Sequence, residues 1–265
     1  MKKTLLFACA IAFAPMLRAE DSPADSVKAA AKKLADSNYS WTSSSTGGGG
    51  GGGGGNRGGG AKTEGMTEKD GPAILKTSFG ENTSESVIKA GKVAVKTADG
   101  WKSGEELANR DGDGGGGGRG RGFGGAFAAR MAENFKAPAA EATTLAETAK
   151  DLKKDGDAIT GTLSEEAVKA RLTFGGRGRA GGGGGNAPAI SDAKGTVKFW
   201  VKDGVLTKYE VNVTGKREGR DGNTVDINRT NTTEIKDVGK TKLEVPAEAA
   251  AKLKGEKAEE KKSEK

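Results

Sequence analysis

The chain predicts an α+β domain in which an antiparallel sheet of about eight to eleven strands packs helices on one face. Three observations carry that expectation. Residues 73–101 and 197–245 alternate apolar and polar positions between X-Gly turns, as hairpin-connected strands do. Residues 25–37, 126–135, 139–153 and 164–172 instead repeat their apolar positions at helical spacing. Finally, 30 of the 45 glycines fall into three tracts, residues 47–60, 112–125 and 175–185. Glycine has no side chain to bury and the most backbone entropy to lose, so these tracts are expected as loop insertions outside the core.

Taken in order, Val27, Ala30, Ala31 and Leu34 mark one face of a first helix, with Asp25 or Ser26 as its N-cap. Tyr39 to Ser43 reads as a strand and runs into the first glycine tract. Beyond it, Asp70-Gly71-Pro72 turns the chain into a strand alternating at Ala73, Leu75, Thr77 and Phe79. Ser86 to Lys89, Val93 to Thr97 and the strand at Trp101 follow, separated by Ala90-Gly91 and Asp99-Gly100. Ser103 caps a short helix over Glu105, Glu106 and Leu107. After the second tract come helices over 126–135 and 139–153, divided by Pro138, which suits the first turn of the second piece and would break a continuous helix. A strand over 157–163 leads to a helix over 164–172, opened by Ser164 with Glu165 and Glu166 at its positive end. The last third alternates most clearly. Val197, Phe199 and Val201 form one strand, and Val205, Thr207, Tyr209, Val211 and Val213 a second after Asp203-Gly204. Thr224 to Ile235 and Thr241 to Val245 form two more, and a helix over 248–253 closes the domain.

The N-terminus is of another kind. Met1-Lys2-Lys3, the apolar run Leu5 to Ala14 and the small-residue site ending at Ala19 form a secretory signal over 1–19. Its apolar core is too short to span a bilayer. Leu6 to Cys9 has the look of a lipidation box, but only five residues separate Cys9 from Lys3, so a plain exported product, periplasmic or extracellular, is expected. The mature chain would be a single domain over 20–254 with a Lys/Glu tail over 255–265, unfolded by composition. It would hold no cysteine and no histidine, which removes thiol and imidazole chemistry and most transition-metal sites. Removing the three signal cations reduces the formal charge of +7 to +4, an ordinary mixed surface rather than a nucleic-acid footprint.

The order of elements resembles the lipoprotein-carrier fold shared by periplasmic lipoprotein carriers and related exported lipid-binding proteins. One helix, then antiparallel strands ending in Ala98-Asp99-Gly100-Trp101, then helices with one strand between them, then a strand meander make up the match. Gly195 to Leu206 resembles the late hairpin of that fold, and Val245 to Ala249 its strand-to-helix ending. The resemblance implies a strongly curved, incompletely closed sheet, a half-barrel with helices against its concave face. It also implies a lipid or lipoprotein partner. The family's lid-holding arginine, which follows a proline, has no counterpart near Phe79-Gly80-Glu81, so no functional residue carries over.

The remaining motifs dissolve on inspection. Arg57, Arg119, Arg121, Arg177 and Arg179 lie in the glycine tracts, where Arg-Gly segments can hold RNA, but aromatic interleaving is limited to Phe123 and an exported chain meets no RNA. Gly120 to Gly125 matches a dinucleotide fingerprint without the strand that must precede it. Ser86 to Lys89 matches the Ser-x-x-Lys of penicillin-recognising enzymes, yet it lies on a strand rather than a helical turn. Asp111 and Asp113 start a calcium loop that Gly122, at its twelfth position, cannot close. No enzyme activity, cofactor or metal is expected. The candidate ligand pocket falls to Trp41, Trp101, Trp200, Tyr209 and Val211, the aromatic and apolar strand positions of a sheet that encloses an apolar ligand. Nucleic acid is excluded as a partner, and peripheral contact with a membrane is compatible with the expected compartment. The competing expectation is a structural envelope protein with a filled interior.

Overall fold

A computed structural model describes residues 22–47, 60–110, 129, 132, 134–174, 189–218 and 223–255. Eleven strands form one antiparallel sheet: β1 Tyr39–Gly47, β2 Lys62–Thr67, β3 Ala73–Phe79, β4 Asn82–Lys89, β5 Lys92–Thr97, β6 Gly100–Ser103, β7 Lys150–Asp155, β8 Ala158–Leu163, β9 Ile190–Lys202, β10 Val205–Glu218 and β11 Thr224–Lys236. The helices are α1 Pro23–Ala35, α2 Gly104–Arg110, α3 Pro138–Thr148, α4 Glu165–Phe174 and α5 Ala247–Lys254. The spatial order is β6-β5-β4-β3-β2-β1-β11-β10-β9-β8-β7. Two meanders therefore meet where the first strand pairs with the last, in a register running from Ser40↔Lys236 to Gly47↔Arg229. The sheet is curved and open, and among the described residues its ends at β6 and β7 are unpaired edges.

α1 starts one turn earlier than the sequence suggests. Ser22 is the cap, its hydroxyl accepting the Asp25 N–H at 3.2 Å, and Pro23 occupies the first turn, where its missing N–H costs nothing. Its apolar face of Val27, Ala30, Ala31 and Leu34 is fully buried against the concave side of the sheet, together with Ala142 and Leu145 of α3 and Val168 and Leu172 of α4. The sheet contributes Tyr39, Val197, Phe199, Leu206, Val211 and Val213 to the same core. Two strand glycines let α4 settle. A Cβ at Gly195 would lie 2.6 Å from Val168, and one at Gly215 2.8 Å from Leu172.

Two further elements depart from the expected boundaries. The helix over 139–153 stops at Thr148, and 150–155 is strand β7. The side chains of Thr143, Thr144 and Thr148 bond back to carbonyls one turn earlier, at 2.8 to 3.0 Å, which adds nothing to helix propensity. Ala149 is already extended, and Asp151 takes a positive φ of 55°. The open edge of β8 then recruits a segment whose one apolar residue, Leu152, reaches the main core. The expected strand over 241–245 is irregular instead. It crosses the outer side of the sheet, where Leu243 and Val245 join Met66, Ile74, Val87, Ala94 and Trp101 under Ala249 and Leu253 of α5. Burial there needs no ladder partner. α5 thus covers the face opposite to α1, α3 and α4, and Lys252 ties it to Glu106 of α2 at 2.6 Å. The expected signal segment, the interiors of the glycine tracts, the tail beyond Gly255 and most of the helix over 126–135 lie outside the described residues. Within the latter, Ala129 and Ala132 are helical and pack on Val93, Val95 and Leu107.

Candidate functional site

The concave face is filled beneath α1 and α4, but it is not filled between α3 and strands β1 to β4. A cavity of about 300 Å³ remains there. Its apolar wall comes from Trp41, Leu75, Phe135 and Pro138, and its polar wall from Ser43, Thr63, Thr77, Ser84, Ser86 and Thr233. Lys136 and Asn134 stand exposed at the rim.

Register explains which residues arrive. Ile235, Trp41, Gly65, Leu75, Ser86 and Val95 are successive cross-strand partners and point to one face. Trp41 lies flat over Gly65, where a Cβ would fall 2.2 Å from its ring, and Phe135 stacks on the tryptophan with centroids 5.7 Å apart and planes 11° from parallel. The indole N–H donates to the Thr67 hydroxyl at 3.3 Å. Trp41 is consequently 5% exposed and presents the cavity with an edge, not an open face.

At the other end Glu141 of α3 gathers a polar cluster. Arg171 of α4 donates from both terminal nitrogens to its Oε1 at 3.0 Å, and the Tyr209 hydroxyl donates to its Oε2 at 2.7 Å. Tyr209 is 3% exposed. Burial first, and then the Glu141 charge, push its phenol well above the ordinary tyrosine value, so it stays neutral and acts as a donor. Tyr39 is raised likewise by burial, although the Ala139 N–H on its hydroxyl opposes the shift. Deeper along β11, Arg229 donates to the Arg171 carbonyl in the last turn of α4, where a cation complements the helix dipole. Its Nε is buried without an acceptor among the described residues.

Of the five residues singled out from sequence, Trp41 and Tyr209 line this cavity. Val211 is 1% exposed inside the packed core. Trp101 faces the other way, under α5. Trp200 is also on the outer face, where the Lys208 ammonium lies 4.6 Å from its ring. Alternation against Val197 and Phe199 made Trp200 conspicuous, and that same alternation turns it outward. The hydroxyl residues, Glu141, Arg171 and Phe135 went unrecognised. The alternating Ser84 and Ser86 of β4 and the unbroken Ser/Thr run from Thr42 to Thr46 in β1 were the available signal, but only the register shows that they converge.

Chemically the site can hold and orient, and it offers little for bond-breaking. Glu141 is the one carboxylate on the cavity wall among the described residues, so there is no second carboxyl to share acid and base roles. No three potential metal ligands converge among the described residues. No described helix is long and apolar enough to cross a membrane.

No family model matches the chain, and no curated protein matches it. Among solved structures it is similar to a LolA superfamily protein from Nitrosomonas europaea, at 9% identity and a TM-score of 0.31, over 83% of this chain and 94% of that one. That degree of likeness assigns no residue a role.

Proposed function

We propose that the protein is an exported, non-catalytic binding protein that holds an amphiphilic ligand of the lipid class in the cavity between α3 and the concave face of β1 to β4. The observation that carries this reading is the cavity itself. The same face of the same sheet is tightly filled under α1 and α4, with Phe199, Val197 and Leu206 at 0% exposure, yet open beside Trp41 and Leu75. A domain built only to be rigid gains by filling such space, because interiors otherwise reach crystal-like density. A volume of about 300 Å³ is at the lower bound of small-molecule sites, enough for one chain or one ring system. Trp41, Leu75, Phe135 and Pro138 supply the apolar contact, and the exposed Lys136 and Asn134 at the rim can meet a polar end in solvent.

The test is native mass spectrometry of the protein purified from its host envelope. A co-purifying lipid should be lost from Leu75→Gln, on the cavity wall, and retained by Trp200→Gln, on the outer face. A ligand-free mass, or equal retention by both variants, overturns the reading. The rival, a structural envelope protein, draws its support from the filled portion of the same interior and predicts the ligand-free mass.

A further inference from the structure

Ser84, Thr77, Thr63, Ser43, Thr233 and Tyr209 are successive cross-strand partners on β4, β3, β2, β1, β11 and β10. Six neighbouring strands thus place six hydroxyls in one straight row, about 24 Å long at the backbone for a strand spacing of about 4.8 Å. All six line the cavity. The adjacent row on the outer face of the same strands reads Lys208, Glu234, Thr42, Glu64, Lys76 and Glu85, the charged and polar composition of a solvated surface. The next row on the concave face reads Ile235, Trp41, Gly65, Leu75, Ser86 and Val95, mostly the composition of a core. The hydroxyl row matches neither, being uncharged, polar and turned inward.

Its hydrogen bonding is incomplete. Thr233 donates to Ser43 at 3.1 Å, and Thr63 and Thr77 share a bond of 3.2 Å. Each hydroxyl has one proton and two lone pairs, so both pairs keep acceptor capacity, and the terminal member of each keeps its proton. Ser84 makes no hydrogen bond through its side chain among the described residues. Beside it Ser86 is 7% exposed, lines the cavity and is likewise without a hydrogen-bond partner for its hydroxyl among those residues. Hydroxyls that line this open space are bonded by water when it is empty, and an occupant that displaces the water must return those bonds. An alkyl chain cannot do so.

We propose that the floor of the cavity reads a neutral, polyhydroxylated segment of the ligand, saccharide- or polyol-like, laid across the strands along this row. This deepens the reading above and rests on it: the ligand is an amphiphile whose uncharged hydroxylated part, not its hydrocarbon, lies against β1 to β4. Hydroxyls repeating at the strand spacing match a ligand that presents one donor or acceptor edge per ring. The apolar wall of Leu75, Phe135 and Pro138 covers the ring faces or the chain that follows. Glu141 and Arg171 neutralise one another at the far end, so the floor offers no net charge to an ionic headgroup.

Calorimetry with two probes of equal chain length, n-octyl glucoside and n-octyl sulfate below micelle formation, tests the proposal on the full-length protein and on Thr63→Val/Thr77→Val/Ser84→Ala. The glucoside should bind about tenfold or more tightly than the sulfate, and the triple variant should lose about that factor for the glucoside alone. If sulfate and glucoside bind equally, or the variant holds the glucoside undiminished, the hydroxyl row is not read, while the amphiphile reading survives. If neither probe binds, both fall. Circular dichroism and the urea midpoint establish that the variant is folded. If it is not, Ser84→Ala/Ser86→Ala, which breaks no hydrogen bond within the described protein, takes its place with the same expected loss for the glucoside alone.

Discussion

Replacing Glu141 by leucine removes the acceptor on which a buried donor, Tyr209, and a half-buried one, Arg171, converge. The cost follows from their exposure. Tyr209 is 3% exposed and gives its proton to Glu141 at 2.7 Å, so its hydroxyl would be left with a poorer partner at about 1–3 kcal/mol. Arg171 has a 27% exposed side chain, between a solvated cation worth about 0–1 kcal/mol and a fully buried one worth about 3–5, and stranding it should cost about 1–2 kcal/mol. The total expected loss is about 2–5 kcal/mol, or about 4–20 °C in Tm for a domain of this size. Urea unfolding followed by tryptophan emission, with the m-value checked for constancy, measures it. A double-mutant cycle then isolates the pair. Arg171→Met in the Glu141→Leu background should cost at least about 1 kcal/mol less than it does alone, because the charge it removes is already unpaired. A loss below about 0.5 kcal/mol, or an additive cycle, would refute the idea that Glu141 organises α3, α4 and β10.

Other consequences are equally direct. Tyr209 and Tyr39 are held neutral by burial, so their contribution to stability is complete below the unfolded phenol value near 10 and is lost as pH rises towards the higher folded values; Tyr209→Phe should flatten the fall of the urea midpoint between about pH 9.5 and 11.5. Glu106 is held below its ordinary value chiefly by Lys252, so the link between α2 and α5 is present at neutral pH and is lost as pH falls through the lowered Glu106 value; Lys252→Met should cost a few tenths of a kcal/mol at pH 7 and progressively less in acid, since Glu106 is 43% exposed. Gly65→Val should push Trp41 off the floor of the cavity, costing about 1–3 kcal/mol and shifting tryptophan emission, whereas the same change at Gly91, which has open space around it but a φ of 76°, should leave emission unchanged. Phe199→Ala should cost about 3–5 kcal/mol by leaving a hole between β9 and α1.

The strands and helices were legible because their periods are local. Val197, Phe199, Val211 and Val213 declare their inward face within a few residues, and Val27 to Leu34 do the same at helical spacing. The misreadings arose where a neighbour, and not the local sequence, decides. Lys150 to Lys153 becomes strand because β8 has a free edge, and Thr241 to Val245 stays irregular because α5 and the outer face bury Leu243 and Val245 directly. The site was less legible for a related reason. Aromatic residues attract notice one at a time, but Trp101 and Trp200 serve the outer face. The hydroxyl row exists only once five strand registers are fixed, and no single Ser or Thr in it stands out. Glu141 and Arg171 are 30 residues apart and meet only because α3 and α4 dock side by side.

The pairing of the first strand with the last also governs how this chain can fold. Residues roughly 190 apart must meet before the middle of the sheet exists. Until then each meander is a separate hairpin array with an unpaired inner edge, and α1 has only part of its bed. Closing so long a loop is slow, yet lengthening it is thermodynamically inexpensive, at about 0.6 kcal/mol for each doubling. Insertions anywhere between β1 and β11 therefore cost little in final stability, which gives a physical reason why such a sheet tolerates glycine tracts in its connections. The burden falls instead on the interval before closure, when β1 and β11 stand as open edges and the nascent protein is most prone to pair with a copy of itself.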